Sequence, residues 1–456
     1  MPTKLSRRKL AEAWDACTTC RNRSVKCDKQ KPECQRSLVF SNYNKAIQCL
    51  YQQDSGCPQS ALVYLSTCLL FTCLEFLQGD TKAAMAHVVC GLNILHTFQK
   101  AFDEPLSSRH QPEIQTILDD LVPIFCRLSI FANLIGEPTP TVHAKTAELE
   151  EQAPIRSISD ARARLVDILN DAIRFVWSIT PQKYVGGITT TEIIHQVRLE
   201  LRLAKWWRQF EKFQTHIRQS AAAPTLPAIE AALAILRMHF QMGQIFTAVL
   251  TSSRERDWDA HFAQFEQING LARALVAGRG DGPGAAFSFE TEVASPLYLA
   301  AVKCRHPRIR REAVALLERS ARREGVIDSR RAGRVARAII KIEEAGLGGA
   351  ERVGLASDGV PSGRLDALAE GSRNSLPPEE NRIQYFYEPD GPAGGVASGP
   401  YSLAYKTCRG MYQKVNLEEE GAGEAVATEG HGSASEDESS TYKSFNIAAT
   451  TYSQRL

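Results

Sequence analysis

The signatures of the common enzyme classes are missing from this chain. Its 456 residues hold no Gly-x-Ser-x-Gly elbow, no Walker phosphate loop and no His-Glu-x-x-His pair, so the usual motifs of serine hydrolases, nucleotide-binding proteins and zinc peptidases are absent. The glycine-rich run Gly278–Gly284 contains Pro283 and follows a predicted helix. It lacks the strand–turn–helix setting of a phosphate cradle and reads as a linker. The opening residues, Met1 to Leu10, contain four cations and no apolar core, so no secretory leader is expected. Twelve cysteines in a chain this long do not make a disulfide scaffold, and without export they are expected to be reduced thiols or metal ligands. The longest apolar stretch, Ala61 to Leu74, is short for a bilayer and runs into Glu75. It reads as a buried helix in a soluble, intracellular protein.

Net charge is scarce as well. The whole chain carries only +2, yet residues 1–40 hold ten Lys/Arg against four Asp/Glu. Any attraction to nucleic acid is therefore concentrated in a basic head.

That head contains Cys17, Cys20, Cys27 and Cys34, separated by two, six and six residues. Arg21, Arg23 and Lys26 lie between the second and third cysteines, and the neighbours are polar rather than apolar. Four thiolates at this spacing can enclose zinc tetrahedrally, and the interleaved cations suit phosphate.

The stretch from Cys17 to Arg36 resembles the fungal binuclear-cluster, or Zn2Cys6, transcription factors. The likeness rests on Cys-x2-Cys-Arg-x-Arg-x2-Lys-Cys-Asp, with Pro32 standing two before Cys34. In that family six cysteines hold two zinc ions, the first and fourth cysteine bridging both. The helix after the second cysteine enters the major groove. The resemblance implies DNA contacts from Arg21, Arg23, Lys26 and Arg36, with Arg23 and Lys26 nearest the base edges. It also implies binding to CGG-type duplex sites and nuclear localisation. The linker and dimerising heptad segment that follow the cluster in that family are not seen here, where Arg36 leads within a few residues into a segment, Ser41 to Gln53, that resembles the interior of the family's regulatory domain.

The chain departs from the family at two places. Ser37 occupies the fifth cysteine position, and Cys49 and Cys57 stand too far along for the usual sixth. The four remaining cysteines complete one zinc site, while a second ion would have only Cys17 and Cys34. Ser24 stands where the family usually has a lysine or arginine reaching guanine. A cation-to-guanine bidentate contact carries about 1–3 kcal/mol of discrimination, so phosphate binding is expected to survive better than base reading. Weak, salt-sensitive binding with relaxed specificity is one expectation. A zinc knuckle that no longer reads DNA is the other.

Residues 42–345 show apolar positions at three- and four-residue intervals, predicting helices. A helical hairpin is expected from Ala61–Leu77 and Lys82–Phe98, with Gly79 ending the first and Asp80 capping the second. Further helices are expected at 111–134, 159–178, 189–218, 227–250 and 258–277. Two blocks, 42–100 and 287–345, resemble the regulatory domain of the same family, which contacts partners or effectors. Eleven arginines between Arg305 and Arg337 read as a solvated helix face with snorkelling stems beside the stripe Ala313, Leu316, Leu317, Val335, Ile339 and Ile342. Cys49, Cys68, Cys73 and Cys90 have leucine or valine neighbours and read as small buried hydrophobes. His87, His239 and His261 read as ordinary core or surface histidines, and Trp206–Trp207 as packing residues.

The expected architecture is all-α. It comprises a zinc-cluster module at 1–40, a multi-helix regulatory domain at 41–345, and a mostly disordered, acidic tail at 346–456 with a short strand candidate near 382–387. Residues 418–440 carry eight acids and no Lys or Arg, which reads as a solvating tail. The expected function is a zinc-dependent, DNA-binding transcription regulator of the RNA polymerase II type, not an enzyme and not membrane-bound. It would work with transcriptional cofactors or as a dimer. The alternative is a helical interaction protein with a vestigial single-zinc knuckle.

Overall fold

The computed structural model describes residues 58–78, 80–101, 111–134, 136–137, 139–142, 153–184, 186–278, 287–345, 347, 376–387, 401–410 and 412–417. Helices dominate them, in keeping with the all-α expectation. The order is α1 (Pro58–Gln78), α2 (Thr81–Ala101), α3 (Gln111–Thr116), a π turn (Ile117–Leu121), α4 (Val122–Leu134), α5 (Ile158–Lys183), α6 (Thr190–Ser220) and α7 (Leu226–Ala248). A 3₁₀ turn (Glu255–His261) leads into α8 (Phe262–Ala277), followed by α9 (Ala294–Lys303), α10 (Pro307–Ser320) and α11 (Ser329–Glu343). The two-residue strands β1 (Phe287–Ser288), β2 (Arg323–Glu324) and β3 (Ile327–Asp328) form one small sheet. A separate antiparallel sheet contains β4 (Ile383–Tyr387), β5 (Tyr401–Thr407) and β6 (Tyr412–Leu417).

Local chemistry sets several boundaries. Asp80 Oδ1 accepts from Ala83 N at 2.9 Å, and Ser157 Oγ from Asp160 N at 3.0 Å. Asp328 Oδ1 accepts from Arg331 N at 2.8 Å. Each carboxylate or hydroxyl takes up a backbone donor that the first helical turn leaves without a carbonyl. Gly79 lies outside the described residues. The 111–134 helix contains a π turn just before Pro123, whose ring nitrogen has no hydrogen to continue the i→i−4 ladder.

The body is assembled by side chains reaching between helices. Asn133 Nδ2 donates to Asn170 Oδ1 at 2.8 Å, and Asn170 Nδ2 to Cys126 O at 3.0 Å. Trp206 Nε1 donates to Ala161 O at 2.9 Å while its ring stacks on Phe210 and Phe240. Trp206 and Trp207 are packing residues. The small Gly91 lets α2 approach the buried ring of Phe125 on α4 closely, since a methyl there would fall 2.1 Å from Cε1.

Two expectations about α1 and α2 change. The apolar window of α1, Ser60–Gln78, is longer than the Ala61–Leu74 run and is long and apolar enough to cross a membrane by length and composition alone, and only 28% of it is buried. Glu75 lies within the helix, buried on the same side as Leu65, Thr72 and Phe76. Leu70 and Leu77 are exposed. Cys90 is likewise exposed rather than buried, because α2 turns that face outward. Both thiols are free, and a hydrogen bond with Cys68 lowers the pKa of Cys90 to about 6.

The tail also differs from expectation. Residues 401–417, placed within a mostly disordered segment, pair as β5 and β6 with full antiparallel register from Tyr401↔Leu417 to Lys406↔Tyr412. Leu403, Tyr405 and Phe386 are buried. The alternation that buries them was too short to stand out in a Gly- and Ser-rich context.

Candidate functional site

The proposed zinc ligands Cys17, Cys20, Cys27 and Cys34 lie outside the described residues, as do the proposed DNA contacts Arg21, Arg23, Lys26 and Arg36. The sequence places four cysteine thiols in this stretch and a serine hydroxyl at position 37. Among the described residues, no group of three or more His, Cys, Asp or Glu side chains could hold a metal ion.

Within the helical body, two arrangements gather charged side chains. The first is a buried ion cluster. Arg305 and Arg310 are fully buried, as is Glu343. Glu343 accepts from Arg305 Nη2 and Arg310 Nη2, each at 2.8 Å. Glu255 accepts from Lys303 Nζ at 2.9 Å and from Arg305 Nη2 at 3.0 Å. The cluster grips β4: Ile383 N donates to Glu343 Oε1 at 2.9 Å, and Lys303 Nζ donates to the carbonyls of Ile383 and Gln384. Arg382 adds a bond to Asp259 at 2.7 Å. Burial alone would raise the Glu343 carboxyl, but Arg305 and Arg310 outweigh it and hold the group at about 2.

This corrects the reading of the arginine-rich helices. Arg305 and Arg310 do not lie on a solvated face, because their guanidiniums are needed as counter-charges inside. Others, including Arg308, Arg311, Arg322 and Arg337, are paired with Glu266, Glu344, Glu292 and Glu318. Such pairing leaves these four cations poorly placed to serve phosphate, in line with the preference against a second DNA surface.

The second arrangement is a cavity between α4, α5, α7 and the start of α9. Its walls include Ile130, Leu165, Leu169, Ile173, Met242 and Phe246. The cavity volume is ≈ 50 Å³. One water needs about 10–15 Å³ on this measure, so the cavity admits a few waters or the compact end of a small molecule. At the rim, Glu290 lies between Arg127 Nε at 3.2 Å and Arg162 Nη1 at 2.5 Å. One carboxylate thus faces two guanidiniums.

Two buried polar atoms on residues lining this cavity have no hydrogen-bond partner, His239 Nε2 and Ser295 Oγ. Both residues are more than nine-tenths buried. Burial, with Arg162 as a lesser cause, depresses the His239 imidazole to about 4, so it is neutral at neutral pH. Its ring bonds to the Ile235 backbone. The Nδ1–H must supply that bond to the carbonyl, which leaves Nε2 as a bare acceptor. Glu324 positions Ser295: its fully buried carboxylate accepts from the N–H groups of Glu292, Val293 and Ala294 at 2.7, 3.1 and 3.0 Å, fixing the first turn of α9. Sequence reasoning weighed His239 only as an ordinary histidine and passed over Arg127, Arg162, Glu290 and Ser295. They are spread from residue 127 to 295, and no spacing rule connects them.

A family model, the fungal Zn(2)-Cys(6) binuclear cluster domain, matches residues 15–55. The matched stretch contains all four proposed ligands and all four proposed DNA contacts, and it extends far enough to include Cys49. A relative, the aspercryptin biosynthesis cluster-specific transcription regulator of Emericella nidulans, is 24% identical over 259 residues. The alignment covers 52% of this chain but only 39% of that regulator. No solved structure matches the chain. The likeness first read from Cys17 to Arg36 therefore extends over a longer stretch, and residues 15–55 match the fungal Zn(2)-Cys(6) binuclear cluster domain.

Proposed function

We propose that this protein is a fungal zinc-cluster transcription regulator, with a metal-stiffened basic head that binds duplex DNA in the nucleus and a helical body that governs it. The observation that carries this reading is the cysteine quartet with its interleaved cations, lying wholly inside the matched stretch 15–55. A relative named as a transcription regulator supports the same class, and the matching family supports a regulator rather than an enzyme.

Cys17, Cys20, Cys27 and Cys34 would hold one zinc ion, which supplies rigidity and no reaction chemistry. Arg21, Arg23, Lys26 and Arg36 would then face phosphates, with Arg23 and Lys26 closest to the bases. Ser24 cannot supply a cation to guanine, so discrimination for CGG-type sites falls by roughly 1–3 kcal/mol relative to a reader that has one. Four phosphate contacts give a log–log salt slope of about −3.6.

The test is zinc per chain together with duplex binding at two salt concentrations. One zinc, and retention of CGG-containing and scrambled duplexes to similar degrees, is the expected result. Cys20→Ser should abolish both zinc and DNA retention, and Ser24→Lys should restore preference for the CGG duplex. Two zinc ions would instead point to Cys49 as an added thiolate, checked by the loss of one ion in Cys49→Ala. Zinc binding with no salt-dependent retention of any duplex would favour the interaction protein with a vestigial knuckle.

A further inference from the structure

We infer that the cavity between α4, α5, α7 and α9 is a binding site for a small hydroxy acid with a short apolar chain. The argument starts from the two polar atoms that lack partners. A buried donor or acceptor without a partner is costly and rare, and here two such atoms, His239 Nε2 and Ser295 Oγ, belong to residues lining one cavity. Nε2 can only accept, so it calls for a hydroxyl donor. The Ser295 hydroxyl can donate or accept, so a ligand hydroxyl reaching either atom would supply the partner it lacks.

The rim sets the other end of the ligand. Arg127 and Arg162 share the single carboxylate of Glu290, which among the described residues lining the cavity leaves one positive charge in excess. A carboxylate is the complementary group, and guanidiniums bind it with charge-assisted hydrogen bonds. Between rim and floor the walls are leucine, isoleucine, methionine and phenylalanine, which favours methylenes over further polar groups. Gly243 belongs to this wall, and a methyl there would come within 2.9 Å of Leu169 Cδ2. The inference is independent of the DNA reading, since it concerns only the helical body.

The test uses the full chain and calorimetric titration with β-hydroxypropionate, γ-hydroxybutyrate and δ-hydroxyvalerate, which step the distance between hydroxyl and carboxylate. Butyrate and butanediol serve as partners lacking one end. The expected result is a maximum at one chain length, with either truncated probe about tenfold weaker or more, because a site built around a hydrogen bond rejects ligands that lack it. Ser295→Ala should lower affinity for the best hydroxy acid and leave butyrate unchanged. His239→Gln serves as the second variant, and far-UV circular dichroism confirms that each variant is folded. The inference is overturned if no probe in the series binds, or if all bind equally. It is also overturned if Ser295→Ala and His239→Gln, both folded, leave affinity unaltered, since trapped water would then account for the two atoms.

Discussion

Replacing Glu343 by glutamine lowers the stability of the helical body by roughly 3–5 kcal/mol, the range for removing one partner of a buried ion pair. Glu343 is fully buried and serves three donors: Arg305, Arg310 and the backbone N–H of Ile383. Glutamine keeps the shape but removes the charge, leaving two guanidiniums inside with less compensation. Arg310→Met should cost less, because Glu343 then retains Arg305. Thermal unfolding of the two variants gives the order, and hydrogen exchange at Ile383–Tyr387 should rise most in Glu343→Gln, since β4 loses its anchor. Equal destabilisation by both substitutions would contradict this account.

The same carboxylate predicts a pH dependence. Its folded pKa is depressed from 4.5 to about 2. The stabilisation is therefore complete above about pH 4.5 and is lost as pH falls towards 2, where the folded group also takes up a proton. The gap between wild type and Glu343→Gln should accordingly narrow on acidification through this window. A gap that stays constant from neutral pH downwards would show that Glu343 acts through shape alone.

The second large effect is expected at Gly91. On an open helix, glycine to alanine would stabilise by about 1 kcal/mol. Here the new methyl falls 2.1 Å from Phe125 Cε1 and 2.5 Å from its Cζ, and Phe125 is fully buried. Overpacking costs about 1–3 kcal/mol, so the clash wins and Gly91→Ala destabilises. Phe125→Leu alone also destabilises, through lost burial. Combined, the two should cost clearly less than their sum, because the smaller side chain makes room for the methyl. Simple additivity in the double variant would mean that α2 and α4 separate instead of the ring yielding. Gly325 meets Phe131 in a similar way at 2.3 Å, but it also has φ +53°. A smaller residue at 131 should therefore rescue Gly325→Ala only in part, since the left-handed backbone would still disfavour a side chain.

Much of the helical architecture could be read in advance because its signal is local. Apolar residues at three- and four-residue steps, with Asp80 at a helix start, specify where α1 and α2 lie. Trp206 and Trp207 were legible as packing residues for the same reason. The faces were harder. Cys90 has the apolar neighbours of a core thiol, yet it points outward, because neighbours in sequence lie on different sides of a helix. Arg305 and Arg310 have the composition of a solvated stretch, yet they are buried, because carboxylates more than thirty residues away meet them. The β5–β6 hairpin was missed where a glycine- and serine-rich setting masked a brief alternation.

The amino-acid order by itself determined the chemistry of the head. Thiols at fixed spacing, cations between them, and serines at positions 24 and 37 are all local facts about covalent sequence. Only the tertiary structure decided that Glu343 balances two arginines and fastens β4. It likewise decided that His239 and Ser295 line the same apolar cavity beneath Arg127 and Arg162. The physical reason is range: helix periodicity and ligand spacing act over a few residues, whereas desolvation and charge pairing depend on which distant side chains packing brings within a few ångströms.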